Sequence, residues 1–163
     1  MPQRLTFEYN ALSYAYPDDE SDKEVFFQAT SPGTFASHLR AVLLYWVNMV
    51  FTDGDEVWQV VRLDRRQSNL TDVHKYVYPD MIVVDGCERE HHETISLGVF
   101  TRDQREAVLE CADDVGYDER SPDQEEEEVQ CLRWMSELLE RMVEERLVAR
   151  SVVDAIRDAV PLP

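Results

Sequence analysis

Leu5, Phe7 and Tyr9 alternate with Thr6 and Glu8, the period-2 pattern of a half-buried strand, here over residues 4–9. A polar, charged stretch over 16–22 reads as a loop, 25–29 as a short second strand, and Ser31-Pro32-Gly33 as a turn. The next segment fits two templates. Phe35, Leu39, Val42, Leu43, Trp46, Val47 and Val50 lie at helical spacing, yet they also form a dense β-branched and aromatic run suited to a buried strand. The pattern alone leaves residues 35–51 open between strand and helix. Asp53-Gly54 tips the balance, because both central positions of a type I′ hairpin turn need positive φ. Beyond it, Val57, Gln59, Val61 and Leu63 alternate with Glu56, Trp58, Val60 and Arg62, and such a strand needs a partner before the turn. The expectation is a hairpin pairing 41–52 with 56–64, preceded by a helical turn over 34–39.

Residues 72–78 form another expected strand, stopped by Pro79-Asp80. A short apolar run over 81–84 ends at Asp85-Gly86, 88–93 is loop-like, and 94–100 suits a further strand. The last third is helical. Thr101-Arg102-Asp103-Gln104 has the form of a capping box. Ala107, Val108, Ala112 and Val115 give a narrow apolar stripe, with Gly116 placed to end it. Ser121-Pro122-Asp123-Gln124 repeats the cap with proline at the first helical position. Glu125–Glu128 follow, where the helix dipole stabilises anions. Val129, Leu132, Met135, Leu139, Met142 and Val143 keep helical spacing, so this helix is expected over 122–148. Ser151 is placed to cap a last short helix that Pro161 ends. The layout is α+β: a curved antiparallel sheet from the N-terminal two-thirds, packed on one face by two or three C-terminal helices.

The length, 163 residues with 44% apolar, suits one domain over 1–163 with a single core. Thirty-four acidic residues against sixteen basic ones give a formal charge of −18. That surface repels nucleic acid and anionic membranes, so neither is an expected partner. It suits solubility first, and secondarily an acidic face for a basic partner or a mimic of a nucleic-acid backbone. Cys87, Cys111 and Cys131 are odd in number and show no CxxC spacing, which favours a reducing compartment over a disulfide framework. No signal-peptide pattern opens the sequence, and the apolar run 41–51 is too short to span a bilayer. Cytoplasmic location is the expectation.

Few residue groups point to chemistry. His91 and His92 follow Cys87, but one half of a ligand set is not a zinc site, and no metal is expected. Asp72-Val73-His74 sets a carboxylate and an imidazole two apart along a strand, hence on one face, and Asp64 can join them from the hairpin. A carboxylate that orients a histidine is a general-base arrangement; polar residues on a solvated strand face look the same. Arg62 suits an anionic group, and Tyr76 a proton donor. Trp46, Trp58 and Trp134, with Tyr45, Tyr76 and Tyr78, either wall a small-molecule pocket between sheet and helices or simply fill the core. Cys131 stands about ten residues inside its helix among glutamates, a poor setting for a thiolate. There is no Walker loop, GxGxxG, HExxH or GxSxG motif, so no cofactor is implied and the commonest nucleotide-dependent and hydrolase classes are set aside.

Trp46, the Asp53-Gly54 turn, Val60-Val61-Arg62-Leu63-Asp64, Gly116-Tyr117 and Cys131-Leu132-Arg133-Trp134 together resemble a family of small uncharacterised fungal proteins, over residues 40–148. The likeness implies a strand carrying His-Trp and a helix opening on Gly-Cys-Arg, with an element order similar to that of papain-like thiol folds. Here Tyr45 stands in the histidine's place and Gln130 in the glycine's. Besides a thiol enzyme with Cys131 as nucleophile, two functions compete. One is a small-molecule-binding protein or cofactor-independent enzyme of the cyclase or isomerase type, with acid–base chemistry at His74, Asp72 and Asp64. The other is a non-catalytic module presenting Glu125, Glu126, Glu127 and Glu128 to a basic protein.

Overall fold

The computed structural model describes residues 11–30, 41–67, 73–84, 92–115 and 124–163. Their order is α1 (Ala11–Ala15), β1 (Lys23–Thr30), β2 (Val42–Val50), β3 (Glu56–Gln67), β4 (Val73–Val84), β5 (His92–Phe100), α2 (Arg102–Asp114), α3 (Gln124–Glu144) and α4 (Arg150–Ala159). The strands form one antiparallel sheet, β4-β3-β2-β1-β5. Helix α2 touches both edge strands, β5 and β4, so the sheet curls. This is the expected α+β architecture. The expected strand 4–9, the turn at 31–33, the helical turn at 34–39, Asp72, Asp85-Gly86, Cys87, the 88–93 loop as far as His91, and the caps at Gly116 and 121–123 lie outside the described residues, while His92 and Glu93 of that loop belong to β5.

The undecided run 41–51 is a strand: β2 pairs with β3 from Leu44↔Val61 to Val50↔Glu56. The turn between them is not type I′. Gly54 N–H donates to Phe51 O at 3.0 Å, Phe51 N–H donates to Asp55 O at 2.8 Å, and Gly54 alone has positive φ, +94°. A three-residue loop of a type I turn closed by a left-handed glycine produces this pattern. Asp53 stays at negative φ, and its carboxylate accepts from Asp55 N–H at 3.0 Å. Pro79 does not end its strand either. It sits within β4 opposite Val61, and the expected 72–78 strand and 81–84 run are one twelve-residue element. A proline lacks an N–H to give, and β4 is an edge strand, where one fewer ladder bond is tolerated.

Helix α2 begins as its sequence dictates. Thr101 Oγ1 accepts from Gln104 N–H at 3.3 Å, and Gln104 Oε1 accepts from Thr101 N–H at 2.9 Å. Helix α3 stops at Glu144, short of 148, in a Schellman closure: Leu147 N–H donates to Met142 O and Arg146 N–H to Val143 O, with Arg146 at φ 61°. The N-cap of α4 is Ala149 with no side-chain hydrogen bond, in place of Ser151.

Alternation gives the sheet two faces. Val25, Phe27, Ala29, Leu44, Trp46, Val61 and Leu63 face the helices and pack in one cluster with Val108, Trp134, Met135, Leu138, Leu139, Met142, Val153 and Ile156. Each such large apolar side chain contributes roughly 1.5–3 kcal/mol on burial. The residues between, on the opposite face, form a second cluster described below.

Candidate functional site

The second cluster consists of Tyr45, Trp58 and Val60, with Phe26, Leu43 and Val47 against it. A β-bulge between Val47 and Met49 shifts the β2–β3 register there, leaving Val47 opposite Trp58 and Tyr45 opposite Val60. The Tyr45 ring stacks on Trp58 at 3.7 Å between centroids, and Phe26 stacks on Tyr45 at 5.1 Å. Trp58 is 2% exposed. Its Nε1–H donates to Glu56 Oε2 at 2.7 Å, and Glu56 is itself only 7% exposed. A carboxylate thus stands buried at the end of an aromatic row on the face turned away from the main core.

Alternation carries this face along β3 through positions 56, 58, 60, 62 and 64. Their partners on β4 are Val84, Ile82, Asp80, Tyr78 and Tyr76, and Arg66 stands opposite His74. Cross-strand partners share a face of a sheet. Register therefore brings the positions of Trp58, Arg62, Asp64, His74 and Tyr76 onto one side of a single two-stranded ribbon. Asp64 and His74 are diagonal neighbours on it, since Asp64 pairs with Tyr76, two residues from His74.

Two expected wall residues are elsewhere. Trp46 and Trp134 belong to the helix-side cluster, 0% and 2% exposed. The expectation of three tryptophans around one pocket between sheet and helices is corrected on this point: successive strand residues face opposite ways, and Trp46 and Trp58 fall on opposite sides. The described residues in that space form a packed core. Nε1 of Trp46 and of Trp134 is buried there without a partner among the described residues. Cys131 also lies on the helix side, with its Sγ donating to Leu63 O at 3.9 Å. Tyr45 is on the far face, so the sheet separates it from Cys131. Cys111 is buried, and desolvation, aided by the Glu145 carboxylate, pushes its thiol up to about 11.

Arg105 escaped the sequence reading. It is fully buried and makes four hydrogen bonds: Nε to Asp18 Oδ2 at 2.9 Å, Nη2 to Asp18 Oδ1 at 2.9 Å and to Asp19 O at 2.8 Å, and Nη1 to Phe100 O at 2.8 Å. Lys23 Nζ donates to Asp18 at 2.8 Å and to Asn48 Oδ1 at 2.9 Å. Burial raises the Asp18 carboxyl, but hydrogen bonds from Arg105 and Lys23 and their charges outweigh it and hold it below its ordinary value. The network pins the 16–22 segment to the start of α2. Its trace in the sequence is an arginine on the stripe of Val108, Ala112 and Val115, three residues before Val108.

A groove of about 470 Å³ lies where the end of α2 meets α3 and α4, lined by Asp114, Ser136, Glu137, Glu140, Arg141, Glu144 and Arg157. Glu140 binds Arg150 Nη1 at 2.6 and 2.7 Å and Arg157 Nη1 at 2.6 Å. The Arg150 bond holds its carboxyl below the ordinary value against desolvation, and Arg157 adds to the effect. The Glu125–Glu128 stretch lies in the first turns of α3, at the other end of that helix from Glu140 and Glu144. Among the described residues no group of three or more His, Cys, Asp or Glu is arranged to hold a metal ion, and no helix is long and apolar enough to cross a membrane. The chain matches no protein-family model, no curated protein and no solved structure.

Proposed function

We propose that the protein binds a small organic molecule on the β3–β4 ribbon face and acts on it by cofactor-independent acid–base chemistry of the cyclase or isomerase type. The reading rests on the convergence described above: a stacked Phe26–Tyr45–Trp58 wall, a buried Glu56 carboxylate held by an indole N–H, and a ribbon whose register continues through Arg62, Asp64, Tyr76 and His74. Apolar walls with a few convergent polar groups are the usual composition of small-molecule sites. In this reading the partly exposed Phe26, Leu43 and Val47, backed by the buried Tyr45 and Trp58 rings, receive the ligand's flat apolar body, and Arg62 holds an anionic end. His74, with the Asp64 position diagonal to it on the ribbon, moves the proton, and Tyr76 serves as donor.

The test is a thermal-shift and tryptophan-fluorescence screen of purified protein against small aromatic and polyunsaturated carboxylic acids. A ligand at 100 times its Kd adds about 2.7 kcal/mol. At about 2–4 °C per kcal/mol, the midpoint rises roughly 5–10 °C. Glu56→Gln and Arg62→Gln keep the shape of the wall; the first weakens the bond that fixes the Trp58 indole and should weaken binding through it, and the second removes the cation for the anionic end and should weaken binding about tenfold or more, the worth of a charge-assisted hydrogen bond of roughly 1.5–3 kcal/mol. Turnover of a bound compound should vanish in His74→Ala while binding persists. Hits that bind both glutamine variants as well as the parent protein would move the site off this face. A screen without hits, beside a basic protein retained at low salt and released at high salt, would favour the acidic interaction module.

A further inference from the structure

We draw no further inference here: the strongest candidate, the carboxylate-lined groove where the end of α2 meets α3 and α4, is an acidic cluster whose Arg141 and Arg157 are already paired to neighbouring carboxylates, and nothing in the structure points to what would occupy it.

Discussion

A guanidinium removed from water is tolerable when most of its donors are met, and Arg105 has four of its five N–H groups bonded to Asp18, Asp19 and Phe100. Removing one side of such a pair leaves the other charge buried, which costs more than the pair itself contributes. Arg105→Met should lower unfolding stability by about 3 kcal/mol, read as a shift of the urea midpoint. The Asp18→Asn, Arg105→Met double variant should recover part of that loss, since Asp18 is then not a charge without its guanidinium, and Lys23 keeps Asp19 at 3.4 Å and Asn48 at 2.9 Å. Asp18 also sets a pH dependence. Its carboxyl is held below the ordinary value of 3.8 in the folded chain, so the native state binds fewer protons than the unfolded one as the pH falls. Its stabilisation is therefore complete above that value and is lost as the pH drops through it and below. In urea titrations between pH 7 and pH 3, the Asp18→Asn variant should show a flatter acid limb than the parent. Equal slopes would mean that the pair does not couple folding to protons.

At the scale of elements, two helix ends depart from the best local chemistry, and each predicts a stabilising change. Arg146 is the only non-glycine residue at positive φ among the described residues, and it occupies the left-handed position of the α3 closure. Glycine carries no Cβ penalty there, so Arg146→Gly should raise stability by about 0.5–1 kcal/mol in thermal unfolding. Ala149 caps α4 with extended φ and ψ but no side-chain acceptor. Ala149→Asp should supply one, along with a charge favourable to the helix dipole, for about 1 kcal/mol. The same ends show where the sequence is readable. The Thr101–Gln104 box was legible because both partners sit at fixed spacing. The end of α3 was not, because an arginine does the work of a glycine and apolar residues continue at helical spacing through Val148. Asp53-Gly54 marked the hairpin but not its turn type, since the dipeptide serves two loops and only the hydrogen bonds to Phe51 distinguish them. For the candidate site, strand alternation put His74 and Tyr76 on one face of a strand, but only the β3–β4 register brings Asp64 beside them. Alternation did not tell which side of the sheet Trp46 and Trp58 take, because that depends on pairing between strands and on the bulge after Val47. Pro79 misled for a related reason: whether proline breaks a strand depends on whether that strand is at an edge, a property of the whole sheet.

At the scale of the molecule, the formal charge of −18 and the buried Asp18–Arg105 pair respond differently to salt, and the contrast is measurable. Excess like charge on a surface opposes compaction, and the screening length falls from about 30 Å at 0.01 M to about 8 Å at 0.15 M ionic strength. Exposed attractions such as those of Arg141 with Asp114, Glu144 and Glu145, at 3.6–3.8 Å, are screened as well, but each contributes little. Repulsion is the larger quantity, so the midpoint of thermal unfolding should rise when sodium chloride is taken from about 0.01 M to about 0.15 M, the two ionic strengths compared above. Ions act on this pair only weakly, since the Arg105 side chain has no solvent contact and the Asp18 side chain is only 20% exposed. The gap in stability between the parent protein and Arg105→Met should therefore stay nearly constant over the same range. If that gap closed as salt was added, the pair would be acting through solvent, and the anchor of the 16–22 segment on α2 would have to be sought in the apolar contacts around it.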